Sequence, residues 1–457
     1  MMSKSGVYII GCSETNEKVC AASGRISTQS GTALEVMEKS QDREKNEKLI
    51  SKVTASGHTS TVEHIFFNLA FENVSVVVEQ FMIEFRLASF TVKSRRYVDF
   101  SDSGYYVPEL KDELKEKYIS HMNSLFSLYS ELCENGIAKE DARFVLPYCF
   151  YSNFYCSLGG RELVNVLRAM LFGRGKNIKE IYELGKSLLF QCKEYAPGIF
   201  GNFESQYGKY NDFCDLSFIK RENKEKDILQ NVEILSYTKN PEKIVSKCAL
   251  IEKFGISSSE SEAIISDEET RHKIIRAVMS SSRPRALENV SFTVRYNNVT
   301  LSTLTHFARH RIQSLNIPSL SSCDRGSYVI APSISENKEL LSKYIDAFDK
   351  TKALYDDLCE NGYGESETVY CLLSGNTLDI VSTMNGRELK LFLKLRTCSR
   401  AQWEIRELAT ELLKQLRKIS PELFTFYGPS CYTDGFCPEG RLTCGKMKEI
   451  KEYFSSL

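Results

Sequence analysis

The chain has 457 residues, 42% hydrophobic and 26% charged, a balance that fits a globular protein of two or three domains and excludes a disordered or fibrous one. Lys and Arg number 59 against 60 Asp and Glu, so the net charge is −1 and no basic excess or stripe serves nucleic acid. No apolar run approaches the roughly 18–20 residues that cross a bilayer. The opening MMSKSGVYIIGC is too short in its apolar part for a secretory signal, and the 15 Cys are scattered. Reduced thiols in a cytoplasmic protein are expected, with no nucleic-acid and no membrane partner.

A short apolar strand is expected at Val7–Gly11, then a helix rich in Glu and Lys near residues 35–55. The run HIFFNLAFENVSVVVEQF has a period of about two and reads as paired strands turning near Asn73. Long helices follow, one over Pro108–Gly136, and the charged stretch KRENKEKD (Lys220–Asp227) reads as a linker. The order then restarts: a strand at Val232–Ser236, a charged helix near 260–280, the alternating run NVSFTVRYNNVTLSTLTHF turning near Asn298, and a long helix within Asn385–Lys418.

The restart is a repeat in register. Val7, Ile9, Glu63, Phe67 and Arg86 match Val232, Ile234, Glu288, Phe292 and Arg311 at a constant offset of 225 (Val232 against Val7). After one inserted residue the offset is 226: LCENG occurs at Leu132–Gly136 and Leu358–Gly362, and GREL at Gly160–Leu163 and Gly386–Leu389. A period this long means two whole domains, each with its own core, which the sequence places at 1–222 and 228–457. Strands first and helices after argue for α+β domains. No G-x-G-x-x-G follows a strand and no P-loop is present, so no standard dinucleotide or Walker site is expected.

The second copy carries LTHFARHRIQSLNIPSLSS, with Arg309-His310-Arg311 and then Ser319. Two guanidiniums and an imidazole within three residues repel one another unless an anion or acid offsets them, and the planar guanidinium fork suits phosphate. Taken alone, the cluster equally fits an exposed basic turn paired to local acids.

Arg-His-Arg, seven residues, then Ser is similar to the signature of the flavin-dependent thymidylate synthases. NGRELKLFLKLRTCSRAQWEIR (Asn385–Arg406) resembles a second block of that family. HTSTVEH (His58–His64) resembles its flavin-contacting turn, and DARFVLP (Asp141–Pro147) its block with a nucleotide-binding Arg. The likeness spans nearly the whole chain as two tandem copies. It implies two α+β domains of that family's fold, each a mixed sheet packed with long helices.

The copies depart from the family pattern in different places. Copy one reads Glu84-Phe85-Arg86 where Arg-His-Arg belongs, yet keeps Ser94, Arg96 and Tyr97 in SRRY, and keeps Arg143. Copy two keeps Arg309-His310-Arg311, Ser319 and Arg396, but has Ser321 and Val369 where copy one has Arg96 and Arg143; copy one has Met170 opposite Arg396. In the family, each nucleotide site is shared by two subunits. The resemblance therefore implies one complete nucleotide site per chain: Arg309 and Arg396 from copy two, Ser94, Arg96 and Arg143 from copy one. The reciprocal set would offer Glu84, Met170, Ser321 and Val369.

The implied reaction is reductive methylation of dUMP to dTMP, with FAD as cofactor and methylenetetrahydrofolate and NADPH as co-substrates. Arg396 is the implied catalytic residue, because a fixed guanidinium in a dry site stabilises charge developing on the uracil ring. Ser94, Arg96, Arg143, His306 and Arg309 are the implied dUMP contacts. His58, Ser60, Arg161, Asn165, Arg309, His310, Arg311, Asn385 and Arg387 are the implied flavin contacts. Val92 and Ile317 stand where the family has an acidic or amide residue, Gly159 stands opposite Asn385, Leu391 opposite Asn165, and Arg283 opposite His58.

Cys431, Cys437 and Cys444 have spacings unlike the usual zinc pattern, and no metal is expected; reduced thiols are the simpler reading. The family's homotetramer of single domains implies a homodimer of this two-copy chain. The alternative to an enzyme is a pseudoenzyme that binds dUMP or flavin without turnover and acts as a regulatory partner.

Overall fold

The computed structural model describes residues 5–216, 218–219 and 230–457; the expected linker Lys220–Asp227 lies outside the described residues. Each copy builds one four-stranded antiparallel sheet. The first has β1 (Gly6–Cys12), β2 (Phe66–Ser75), β3 (Ala88–Val92) and β4 (Tyr151–Gly159) in the order β1-β2-β4-β3. The second has β5 (Val232–Tyr237), β6 (Ser291–Thr300), β7 (Gln313–Asn316) and β8 (Thr377–Asn385) in the equivalent order β5-β6-β8-β7. Period-two patterning makes these strands. In β2, Phe67, Leu69 and Phe71 are buried, while Phe66, Asn68 and Glu72 face solvent.

The alternating runs do not fold as paired strands. Asn73 and Asn298 take left-handed conformations (φ 50 and 55) where the ladder register shifts, which makes a bulge rather than a turn. The chain then enters helices α1 (Val76–Ile83) and, in copy two, α5 (Leu301–Ala308). Ser75 and Thr300 cap these helices, accepting hydrogen bonds from Val78 N and Thr303 N. Val76, Val77 and Val78 would suit a strand by propensity, but seven of the eight α1 residues are buried and burial decides.

Long helices complete each copy: α2 (Asp112–Glu134), α3 (Gly160–Leu171) and α4 (Lys179–Tyr195), then α6 (Lys338–Glu360), α7 (Gly386–Arg396) and α8 (Trp403–Ile419). The single helix expected within Asn385–Lys418 is two. The break at 397–402 is held by Gln402, whose side chain accepts from Ile405 N at 3.2 Å, and by Arg406, which donates to Ser399 O at 3.1 Å. Both GREL strings sit at a strand-to-helix switch. A Cβ on Gly160 would lie 2.6 Å from Val62 O, and one on Gly386 2.8 Å from Leu287 O, so only Gly fits where the sheet meets the preceding 3-10 turn.

The chain divides into two compact units. The first takes in Met1–Lys224 with Ile330–Asn376, the second Glu225–Val329 with Thr377–Leu457. The units cut across the sequence repeat, because the 330–376 segment belongs to the first. There α6 packs beside α2, with His121 Nε2 2.8 Å from Thr351 Oγ1 and Lys343 paired to Glu131 at 2.6 Å. All 15 cysteines are free thiols, Cys431 buried and Cys437 and Cys444 half-buried. Among the described residues no cluster of His, Cys, Asp and Glu forms a metal site, and no helix is long and apolar enough to cross a membrane.

Candidate active site

In the second unit, the Arg-His-Arg tripeptide follows the end of α5 rather than a strand pair. Its three side chains diverge. Arg309 and Arg311 are exposed, whereas His310 turns inward and is 4% exposed. Its Nδ1 lies 2.9 Å from Glu388 Oε1, and Arg396 Nε donates to its Nε2 at 3.0 Å. A guanidinium can only donate, so Nε2 carries no proton and Nδ1–H donates to Glu388. Burial, chiefly, holds the imidazole pKa below its ordinary value; the Glu388 hydrogen bond opposes this, and Arg396 and Arg309 add to it. The ring stands edge-on to Phe392 at 5.1 Å. Arg396 also donates from Nη2 to His306 O at 3.1 Å, and His306 itself is buried.

At the start of α7, the Asn385 side chain caps the helix by accepting from Glu388 N at 2.9 Å. Arg387 pairs with Glu288 at 2.6 Å. Copy one repeats this pair as Arg161 with Glu63, also at 2.6 Å, and both arginines are exposed. Asn165 donates to Glu162 at 3.0 Å. His58 and Ser60 are exposed at the 3-10 turn Thr59–His64. Arg161 and Asn165 help line a small cavity of about 150 Å³ with Thr59, Val62, Arg168 and Tyr207.

In the first unit, Arg96 and Arg143 converge on one residue. Arg96 Nε reaches the Glu140 carboxylate at 2.7 Å, and Arg143 Nε donates to the Glu140 carbonyl at 3.1 Å. Ser94 is half-buried and accepts weakly from Arg96 N at 3.4 Å. Arg95, between them, turns into the core and pairs with Glu79. The structure therefore gathers Ser94, Arg96 and Arg143 around Glu140 in one unit, and His306, His310 and Arg396 in the other with Arg309 beside His310, while Asn385 and Arg387 stand at the N-terminal end of α7 and Arg387 pairs with Glu288.

Sequence reasoning missed Glu140 and Glu388, the acids that organise these clusters. The repeated GREL string held the signal for Glu388; nothing singled out Glu140. Also missed was a pair of matching buried carboxylates. Glu180 accepts from Ser75 N at 2.9 Å, Ser75 Oγ at 2.6 Å and Tyr370 Oη at 2.9 Å. Glu404 accepts from Thr300 N at 2.8 Å and Thr303 Oγ1 at 2.7 Å. Each carboxylate ties a helix N-terminus to the bulge. A larger cavity of about 1130 Å³ in the second unit is lined by Asn297, Tyr328, Trp403 and Arg406 among others, and by none of the residues implied by the resemblance.

The family described as thymidylate synthase complementing protein matches this chain twice, over residues 9–198 and 233–422. A flavin-dependent thymidylate synthase of Clostridium tetani is 34% identical over 241 residues, 49% of this chain and 96% of that relative. The enzyme of the same name from Geobacter sulfurreducens is 30% identical over 230 residues, covering 50% of this chain and 98% of its own length. That of Pyrococcus furiosus is 32% identical over 218 residues, 46% of this chain and 89% of its length. Each relative thus spans about one copy. A match to two separate segments of nearly all the described sheet and helix framework has one meaning: the chain belongs to the thymidylate synthase complementing protein family and carries that family's domain twice.

Proposed function

We propose that this chain is a flavin-dependent thymidylate synthase that converts dUMP to dTMP with methylenetetrahydrofolate and NADPH. In this reading, the repeats bounded at 1–222 and 228–457 share one composite nucleotide site per chain. The observation that carries it is complementary retention. Arg309 and Arg396 survive only in copy two, and Arg96 and Arg143 only in copy one. The reciprocal positions are structurally converted. Met170 and Val369 are fully buried apolar side chains, and Glu84 pairs with Arg174 at 2.5 Å. Decay without selection would strike both halves of the same site.

Ser94, Arg96, Arg143 and Arg309 would hold the 5′-phosphate, with Glu140 pre-orienting two of them. Arg396, held at Nε and Nη2, would stabilise the negative charge that develops over the uracil N3–C4–O4 region. His306 would add a contact to the nucleotide. FAD suits the residues present: Arg309 and Arg311 are exposed cations, and the Arg161–Glu63 and Arg387–Glu288 pairs are exposed enough to exchange a carboxylate for a phosphate at little cost. When bound, FAD supplies the redox chemistry, and the chain supplies binding and orientation. His58, Ser60, Asn165 and Asn385 complete that contact set. No enzyme thiol is needed, and the 15 free cysteines suit a cytoplasmic setting.

Val92 and Ile317 favour a second reading, a protein that binds dUMP or flavin without turnover. One experiment separates the two. The purified protein should be yellow, its visible band should bleach on adding NADPH, and dUMP with methylenetetrahydrofolate should then yield dTMP. A yellow protein that bleaches and makes no dTMP supports the second reading; a colourless protein that takes up no added FAD and binds no dUMP removes both.

A further inference from the structure

The inference here deepens the proposed function and rests on Arg396 acting at the uracil. We propose that His310 is a positioning residue for Arg396, and that Glu388 selects the imidazole tautomer that lets it hold the guanidinium. Both ring nitrogens are engaged within the chain, Nδ1 with Glu388 and Nε2 with Arg396. The resemblance implies His310 as a flavin contact, but it is buried with both ring nitrogens engaged inside the chain, so its polar atoms act on Arg396, and the flavin contacts of this turn fall to the exposed Arg309 and Arg311. The guanidinium is thereby fixed at two points, Nε by the imidazole and Nη2 by the His306 carbonyl. A long, rotamer-rich side chain becomes a donor with a set plane, which is what electrostatic stabilisation of a planar ring requires.

Copy one supplies independent support. Where Arg396 is replaced by Met170, His310 is replaced by Phe85, while Glu162 is retained opposite Glu388. Without an imidazole to receive, that carboxylate is redirected to Asn165 Nδ2 at 3.0 Å and Leu87 N at 3.4 Å. The His and Arg are present together or absent together, as a positioned residue and its positioner should be.

The arrangement carries a pH consequence. Protonating Nε2 would set two N–H donors against each other and add a charge beside Arg396. The charged groups facing His310 are Glu388 and Arg396 from α7 and Arg309 from its own turn. Arg396 should therefore lose its hold in acid, below the ordinary histidine range.

The test uses the full-length, flavin-loaded protein. His310→Phe should reduce kcat for dTMP about a hundredfold, the scale of loss when a reacting group is misplaced by about 1 Å. NADPH-driven bleaching of the flavin should stay within about threefold of the parent, because that half-reaction needs no uracil activation. His310→Gln, whose amide can donate to Glu388 and accept from Arg396, should recover at least about a tenth of parent turnover and lose the acid-side fall in the pH profile. Nitrogen-15 NMR of the parent's histidines should show one ring protonated at Nδ1 with an unprotonated, hydrogen-bonded Nε2, and this reading does not depend on any variant folding. Parent-like turnover in His310→Phe, equal loss in the Phe and Gln variants, bleaching that falls in step with turnover, or an Nε2–H tautomer each overturns the proposal. A parent protein that makes no dTMP removes instead the function on which it rests, while the NMR result still reports the tautomer.

Discussion

At the scale of single residues, the chain uses buried carboxyl groups to hold elements together. Glu17 is 6% exposed and accepts from Ile199 N at 2.9 Å. Burial pushes its pKa up to about 7, opposed by the backbone donors of Gly198 and Ile199. Its folded pKa lies above the unfolded value, so its stabilising contribution is complete below the unfolded pKa and is lost as pH rises through about 7. Glu17→Gln should therefore gain in melting temperature relative to the parent between about pH 5 and about pH 8.5, with the gap opening by about 2–4 °C. Melting curves at the two pH values check this; a gap that does not change with pH would mean Glu17 is not the titrating group. Glu180 behaves in the same sense, raised by burial against its Ser75 and Tyr370 donors.

At the scale of elements, the strand-to-helix switch sets the position of the candidate site. β8 ends at Asn385 and α7 starts at Gly386, so one turn of helix carries Asn385, Arg387 and Glu388. The close approach of backbone at Gly160 and Gly386 makes this corner intolerant of a methyl group. Gly160→Ala should cost about 1–3 kcal/mol in urea unfolding, the usual penalty for overpacking. Gly364, with φ −96 and nothing within 4 Å of a built Cβ, serves as the control. There Ala should be neutral or stabilising by about 0.4–1 kcal/mol. Equal effects at both positions would show that the crowding at Gly160 relaxes freely.

At the scale of the whole molecule, the division of work between the copies is the property to test. Arg143→Ala and Arg309→Ala lie in different copies, and each should weaken dUMP binding by about 1.5–3 kcal/mol, the worth of a charge-assisted hydrogen bond. Titration calorimetry measures both; an unchanged affinity in Arg143→Ala would end the composite-site reading. Two fused copies should reach four domains by pairing once, so light scattering should give twice the chain mass. An active species at the single-chain mass would rule this out.

The amino-acid sequence by itself determined the duplication, the α+β class and the family, and it named the candidate chemistry-bearing residues. Register and residue type are properties of the string: GREL at two places and Arg-His-Arg before Ser can be read without coordinates. It also foretold the opening strands, because a short apolar run too brief for a helix is legible as a strand before anything packs on it. Tertiary structure decided the rest. Val76–Ile83 became helix because burial on nearly every side outweighs β-branched propensity. Asn73 and Asn298 became bulges because a left-handed residue can widen a ladder as readily as end it. The 330–376 segment joined the first unit, a matter of long-range packing that local pattern does not encode. The partnerships Glu388–His310–Arg396 and Arg96–Glu140–Arg143 needed coordinates for the same reason: hydrogen bonds between residues 86 or 44 positions apart are set by where the elements meet, and the sequence names the donors and acceptors without pairing them.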